Sequence, residues 1–158
     1  IDKLHNKVVS CFKGYVEKSE NYDADRMVRE FIADKIRASK KSLNIMSGDL
    51  VKTGEISTIQ EIDSVQNLLE GLLKKVQYAD YGASASFSKI KITEEDQNRL
   101  LEYDWRLISA LDGLEKSVGE LRAAAAENTG AVIGGIADAL RTFEKNFDER
   151  KNVLLEVI

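Results

Sequence analysis

Few residues in this chain have the types and spacing that chemistry requires. His5 is the one histidine and Cys11 the one cysteine. A Cys–His nucleophile pair needs both side chains on one face. Six residues apart on a helix, they point about 240° apart. Cys11 falls among Leu4, Val8, Phe12, Tyr15 and Val16, so a buried structural thiol is expected there. His5 is expected in solvent near the chain end. A di-metal carboxylate centre in a helical bundle needs Glu-x-x-His pairs, and the chain contains none. An all-carboxylate site has nothing in the sequence to mark it. Neither of the glycine-rich phosphate-loop patterns occurs, so Gly134-Gly135 reads as close helix packing. No catalytic, cofactor-binding or metal-binding residue is therefore assigned, and no cofactor is expected.

Two charged features remain. Asp104 falls on the Leu100–Leu107–Leu111 row of a helical pattern, where an apolar group would be usual. If buried, it needs a cationic or hydrogen-bonding partner, and Arg141 or Arg150 near the C-terminus could supply one. Such a pair more often fixes helix register than performs catalysis. At the edge of the stripe, Asp104 would instead stay in water. The second feature is a basic run, Lys35, Arg37, Lys40, Lys41 and Lys52. It reads either as a docking surface for an acidic partner or anionic membrane, or as an ordinary solvated helix face. Pairs at helical spacing, Asp25–Arg29, Arg26–Glu30 and Asp34–Arg37, favour the second reading.

The elements that position these residues are helices. The longest pattern, Thr93 to Glu127, opens with a hydroxyl cap and acids in the first turn. Its apolar row is Leu100, Leu107, Leu111, Leu114, Val118, Leu121 and Ala125, widened by Leu101, Trp105 and Ile108. At 1.5 Å per residue it spans about 50 Å and needs partners of similar length. A helix over 2–18 comes first. One over 24–51 follows, capped by Asp23, with the stripe Met27, Val28, Phe31, Ile32, Ile36, Leu43, Met46 and Leu50. Its middle is thin in large apolar groups at Ser39 and Ser42. Thr53-Gly54 closes it. Ser57 and Thr58 each fit a capping box for a third helix ending at Tyr78. There Ile62, Val65, Leu69, Leu72 and Val76 make a coiled-coil-like seam. Residues 79–92 break the pattern: Tyr81 to Ser86 is small and flexible, and Phe87, Ile90 and Ile92 alternate as an extended segment would. A last helix from Ala131 carries Ile133, Ile136, Leu140, Phe143, Phe147, Leu154 and Val157, with Arg150 as its one gap.

Short connections make successive helices antiparallel neighbours. The expected fold is all-α: an up-down-up-down bundle of four long helices plus a shorter N-terminal helix, in one domain over 1–158. Phe87, Ile90 and Ile92 would fill the groove beside the shorter third helix. Ala123 to Ala126 would face Gly130, Gly134 and Gly135 closely. Ile1 is not methionine, so a piece processed or excised from a longer chain is expected.

Composition supports a folded domain and narrows its task. The chain has 158 residues, no proline, 43% hydrophobic and 32% charged residues. A net charge of −4 argues against nucleic acid as the partner. One cysteine fits a reducing compartment, and no apolar run reaches the ~20 residues of a membrane span; a cytoplasmic location is expected. The leading functional expectation is a non-catalytic interaction or scaffold module that binds a protein partner or a second copy of itself. The surface candidates are Lys35, Arg37, Lys40 and Lys41, with Leu155 and Ile158 in an aliphatic C-terminal cluster. The alternatives are a ligand-sensing bundle, with a small-molecule pocket near Ser39 and Ser42, and an enzyme using inward carboxylates.

Overall fold

The computed structural model describes residues 21–79, 93–124 and 128–157. These form four helices: α1 (Asn21–Thr53), α2 (Ile56–Gln77), α3 (Glu94–Ala123) and α4 (Thr129–Val157). Among the described residues there is no strand, and no helix is long and apolar enough to cross a membrane. The helix expected over 2–18 and the groove-filling role of Phe87, Ile90 and Ile92 lie outside the described residues.

The helix ends follow from local chemistry. α1 stops in a Schellman turn. Gly54 takes φ of 77°, its N–H donates to Val51 O at 3.3 Å, and Glu55 N–H donates to Leu50 O at 3.4 Å. Only glycine adopts that left-handed geometry at low cost. The chain then re-enters helix at Ile56, earlier than the capping-box pattern suggests. Glu55 occupies the cap position and makes no side-chain cap bond. Ser57 and Thr58 lie inside the first turn because Gly54 reverses the chain within two residues. Asp23 likewise sits within α1 and not at its start. At α3 the expected cap is present: Thr93 is extended, and its hydroxyl accepts from Asp96 N–H at 3.2 Å.

The apolar rows meet in one core. Val28, Ile32, Ile36, Leu43 and Met46 of α1 pack with Ile62, Val65, Leu69, Leu72 and Val76 of α2. Leu107, Ile108, Leu111, Leu114, Val118 and Leu121 of α3 and Ile133, Ile136, Leu140, Phe143 and Phe147 of α4 complete it. Trp105 is half-buried against this core. Met27 departs from the expected stripe and is 48% exposed. Nine residues separate it from Ile36, about 180° around the axis, so it faces outward.

Helix order departs from a ring of successive antiparallel neighbours. α1 packs on α2 and α3, and α4 packs on α3 and α2; among the described residues, α2 and α3 stand across a diagonal. Along α1 and α2 the pairings run in opposite senses: Arg29 meets the carbonyls of residues 76 and 77, Lys40 meets Glu70, and Asn44 meets Gln66. Along α1 and α3 they run in the same sense: Asp25 and Asp104 share Arg150, and Lys35 meets Asp112. α2 and α4 also pair in the same sense. A Cβ on Gly130 would lie 3.9 Å from Glu61, and Lys75 meets Glu144 and Asp148.

Of the close approach expected between Ala123 to Ala126 and the α4 glycines, Ala125 and Ala126 lie outside the described residues. Among the described residues, a Cβ built on Gly134 or Gly135 meets nothing within 4 Å, and both glycines are exposed.

Candidate functional site

Among the described residues, the buried charged groups gather at one end, where α1 and α3 begin and α2 and α4 finish. Asp25, Arg29, Asp104 and Arg150 are 1%, 9%, 2% and 2% exposed. Arg150 occupies the gap in the α4 stripe, and Asp104 the gap in the α3 row. The Arg150 guanidinium meets Asp104 side-on, Nε to Oδ1 at 2.6 Å and Nη2 to Oδ2 at 3.0 Å. Its Nη1 donates to Asp25 Oδ1, crossing from α4 to α1. Asp25 Oδ2 accepts from Arg29 Nε at 2.8 Å. Arg29 Nη1 then reaches Gln77 O at 3.1 Å and Val76 O at 3.3 Å, binding the last carbonyls of α2 as a cation at a helix C-terminus does. One continuous network thus touches all four helices.

Its electrostatics are closed. Two guanidiniums balance two carboxylates. Burial alone would lower the Arg150 pKa, but the charge and hydrogen bonds of Asp104, then of Asp25, outweigh it and raise the pKa. Arg150 is therefore held as a cation. All four carboxylate oxygens of Asp25 and Asp104 accept from guanidiniums. None is left over to take a proton from a substrate, so the arrangement ties helices together and offers no free base. Beside it, the Tyr103 hydroxyl donates to Asn146 O at 2.6 Å. Burial first, then the charges of Glu149 and Asp104, push the phenol up from its ordinary value. Among the described residues, no group of three or more His, Cys, Asp or Glu side chains is placed to hold a metal.

The basic run is not one surface. Lys35 is largely buried toward α3, where it meets Asp112, lies 4.0 Å from Glu115, and sits 5.6 Å above the Phe31 ring. Lys40 points the other way, to Glu70 on α2. Its hydrogen bond and charge hold the Glu70 carboxyl below the ordinary value. Arg37 is exposed and pairs with Asp34 at 2.7 Å, and Lys41 is exposed. Of the C-terminal candidates, Leu155 falls on α4 with its side chain outside what is described, and Ile158 lies outside the described residues.

A cleft of about 370 Å³ opens between α1 and the end of α2. It is lined by Arg26, Arg29, Glu30, Ala33, Arg37, Gln77 and Tyr78. Ser39, near which the sequence places a pocket, is buried in the helix interface at 2% exposure. Of the cleft residues, the sequence reading singles out Arg37 as a binding candidate. Arg29 is missed because its four-residue spacing from Asp25 looks like a solvated pair. The signal that could have found both is their place on the Ile32–Ile36 row: positions 25, 29, 32 and 36 step by four, three and four.

No protein-family model, curated protein or solved structure matches the chain.

Proposed function

We propose that this chain is a non-catalytic interaction or scaffold module. In this reading it is an up-down-up-down bundle, preceded by a shorter N-terminal helix, that presents its outer helix faces in the cytoplasm to a protein partner or to a second copy of itself. The observation that carries the reading is the tip of the α1–α2 hairpin. Val51 and Ile56 flank the two-residue turn and are 64% and 69% exposed. Ile45, on the same half of α1, is 48% exposed. Single exposed aliphatics are ordinary, but two large ones flanking one tight turn are what a contact surface supplies. The network inside the bundle agrees with this, since all four of its carboxylate oxygens are engaged with guanidiniums.

Size-exclusion chromatography with light scattering tests the reading. Self-association predicts a mass that rises with concentration above the 17.7 kDa of one chain. Val51→Glu combined with Ile56→Glu should return the mass to that of one chain and leave the melting temperature unchanged, because both side chains are exposed. A monomer at every concentration removes the self-association arm and leaves the tip to a different protein partner.

A further inference from the structure

The cleft beside Arg29 has a chemistry of its own, which neither the scaffold reading nor the basic run explains. We propose that it is a binding site for a small oxyanion, a ligand whose recognised group is a phosphate or a carboxylate. Three guanidiniums line it against one carboxylate, Glu30. They divide into a fixed group and two adjustable ones. Arg29 is fixed: Asp25 holds its Nε, and the carbonyls of Val76 and Gln77 hold its Nη1. Among the described residues its Nη2 makes no hydrogen bond, which leaves donors for a ligand. Asp25 is in turn held by Arg150, so the position of Arg29 rests on the bundle interior. By binding those two carbonyls, Arg29 also offsets the negative end of α2, which would otherwise repel an anion.

Arg26 and Arg37 are the adjustable pair. Arg26 meets Glu30 at 3.0 Å with both side chains more than 60% exposed. Arg37 meets Asp34 at 2.7 Å, also in solvent. Exposed pairs of this kind contribute little to stability. A ligand that offers each guanidinium a two-oxygen face competes with them readily, because planar bidentate contacts are the stronger ones. Gln77 adds an amide at the lip. Tyr78, 80% exposed, adds a ring that can lie against the body of a ligand. A volume of about 370 Å³ falls within the range of small-molecule sites, about 300–1,000 Å³.

Calorimetric titration of the whole chain with pyrophosphate and, separately, with citrate tests the site. The expected result is binding of at least one of the two at one equivalent per chain. Arg26→Gln combined with Arg37→Gln should weaken it by about ten-fold or more, since two charge-assisted contacts are lost. Both residues are exposed, so circular dichroism of the variant should match the parent. Arg141→Gln is the control: it removes a cation of the same kind, paired with Asp138 at 3.1 Å on α4, and should leave binding unchanged. Pyrophosphate alone binding assigns the group as phosphate, and citrate alone as carboxylate. The proposal is overturned by heats no larger than dilution for both anions. It is equally overturned if the Arg26 and Arg37 variant binds as well as the parent, or if Arg141→Gln weakens binding to the same extent.

Discussion

Arg150 carries a full charge in an interior that is otherwise mostly apolar, and its environment is tolerable only while Asp104 and Asp25 remain beside it. Arg150→Met keeps the volume but leaves Asp104 buried without a partner. The expected cost is about 3–5 kcal/mol, as for other buried pairs broken from one side, read as a lower urea midpoint at constant slope. Arg150→Met combined with Asp104→Leu removes both charges and leaves Asp25 with Arg29, still neutral. That double variant should return to within about 1 kcal/mol of the parent. A double variant no better than the single one would mean that Asp104 and Arg150 do not depend on each other. Half of this network is legible in the sequence, because Asp104 and Arg150 each interrupt an apolar row. Asp25 and Arg29 are read as a solvated pair by their four-residue spacing, and only their place on the Ile32–Ile36 row marks them as facing the bundle interior.

At the scale of the helix, the α2 seam reads directly. Leu69 sits mid-row at 0% exposure, and Leu69→Ala should cost about 2–5 kcal/mol of unfolding free energy. The apolar rows needed only their period to be recognised, since each is a single face of a helix in contact with the core. Glycines carry no such signal: a small residue in a helix fits close packing and open solvent equally well. Gly134 and Gly135 belong to the second case. With open space around both among the described residues, Gly134→Ala and Gly135→Ala should each stabilise the chain by roughly 0.5–1 kcal/mol through helix propensity alone, measured as a raised denaturation midpoint. A loss of stability there would reveal a neighbour on that face. The α1–α2 contact also has a pH signature. Lys40 holds the Glu70 carboxyl below its ordinary 4.5. A lowered folded pKa gives stability that is present above the unfolded value and lost as pH falls through the folded one. The stability difference between the parent and Lys40→Met should therefore be larger at pH 7 than at pH 3, and a difference independent of pH would show the pair to be inert.

For the whole molecule, what matters is which helix lies beside which. The two-residue link at Gly54-Glu55 and the small number of residues between Ala123 and Thr129 oblige α1 to lie on α2 and α3 on α4. The link from Ala79 to Thr93 imposes no such rule, because a connection of that length reaches across the end of a bundle. This is why the sequence yields the helices and their stripes but not the diagonal placement of α2 and α3. That choice shows itself in side chains that bridge helices: Lys35 to Asp112, Lys75 to Glu144, Arg150 to Asp25 and Asp104. Both functional proposals stand on this order. It brings Arg150 to Asp25, which holds Arg29 at the cleft, and it leaves the α1–α2 tip outside. Zero-length carbodiimide coupling of the native chain, with products read within single chains by mass spectrometry, tests it most directly, since an amide forms where a lysine and a carboxylate already touch. The expected products join Lys40 to Glu70, Lys35 to Asp112 and Lys75 to Glu144. Amide links that join α2 to α3, with none between Lys35 and Asp112, would contradict the order and the account built on it.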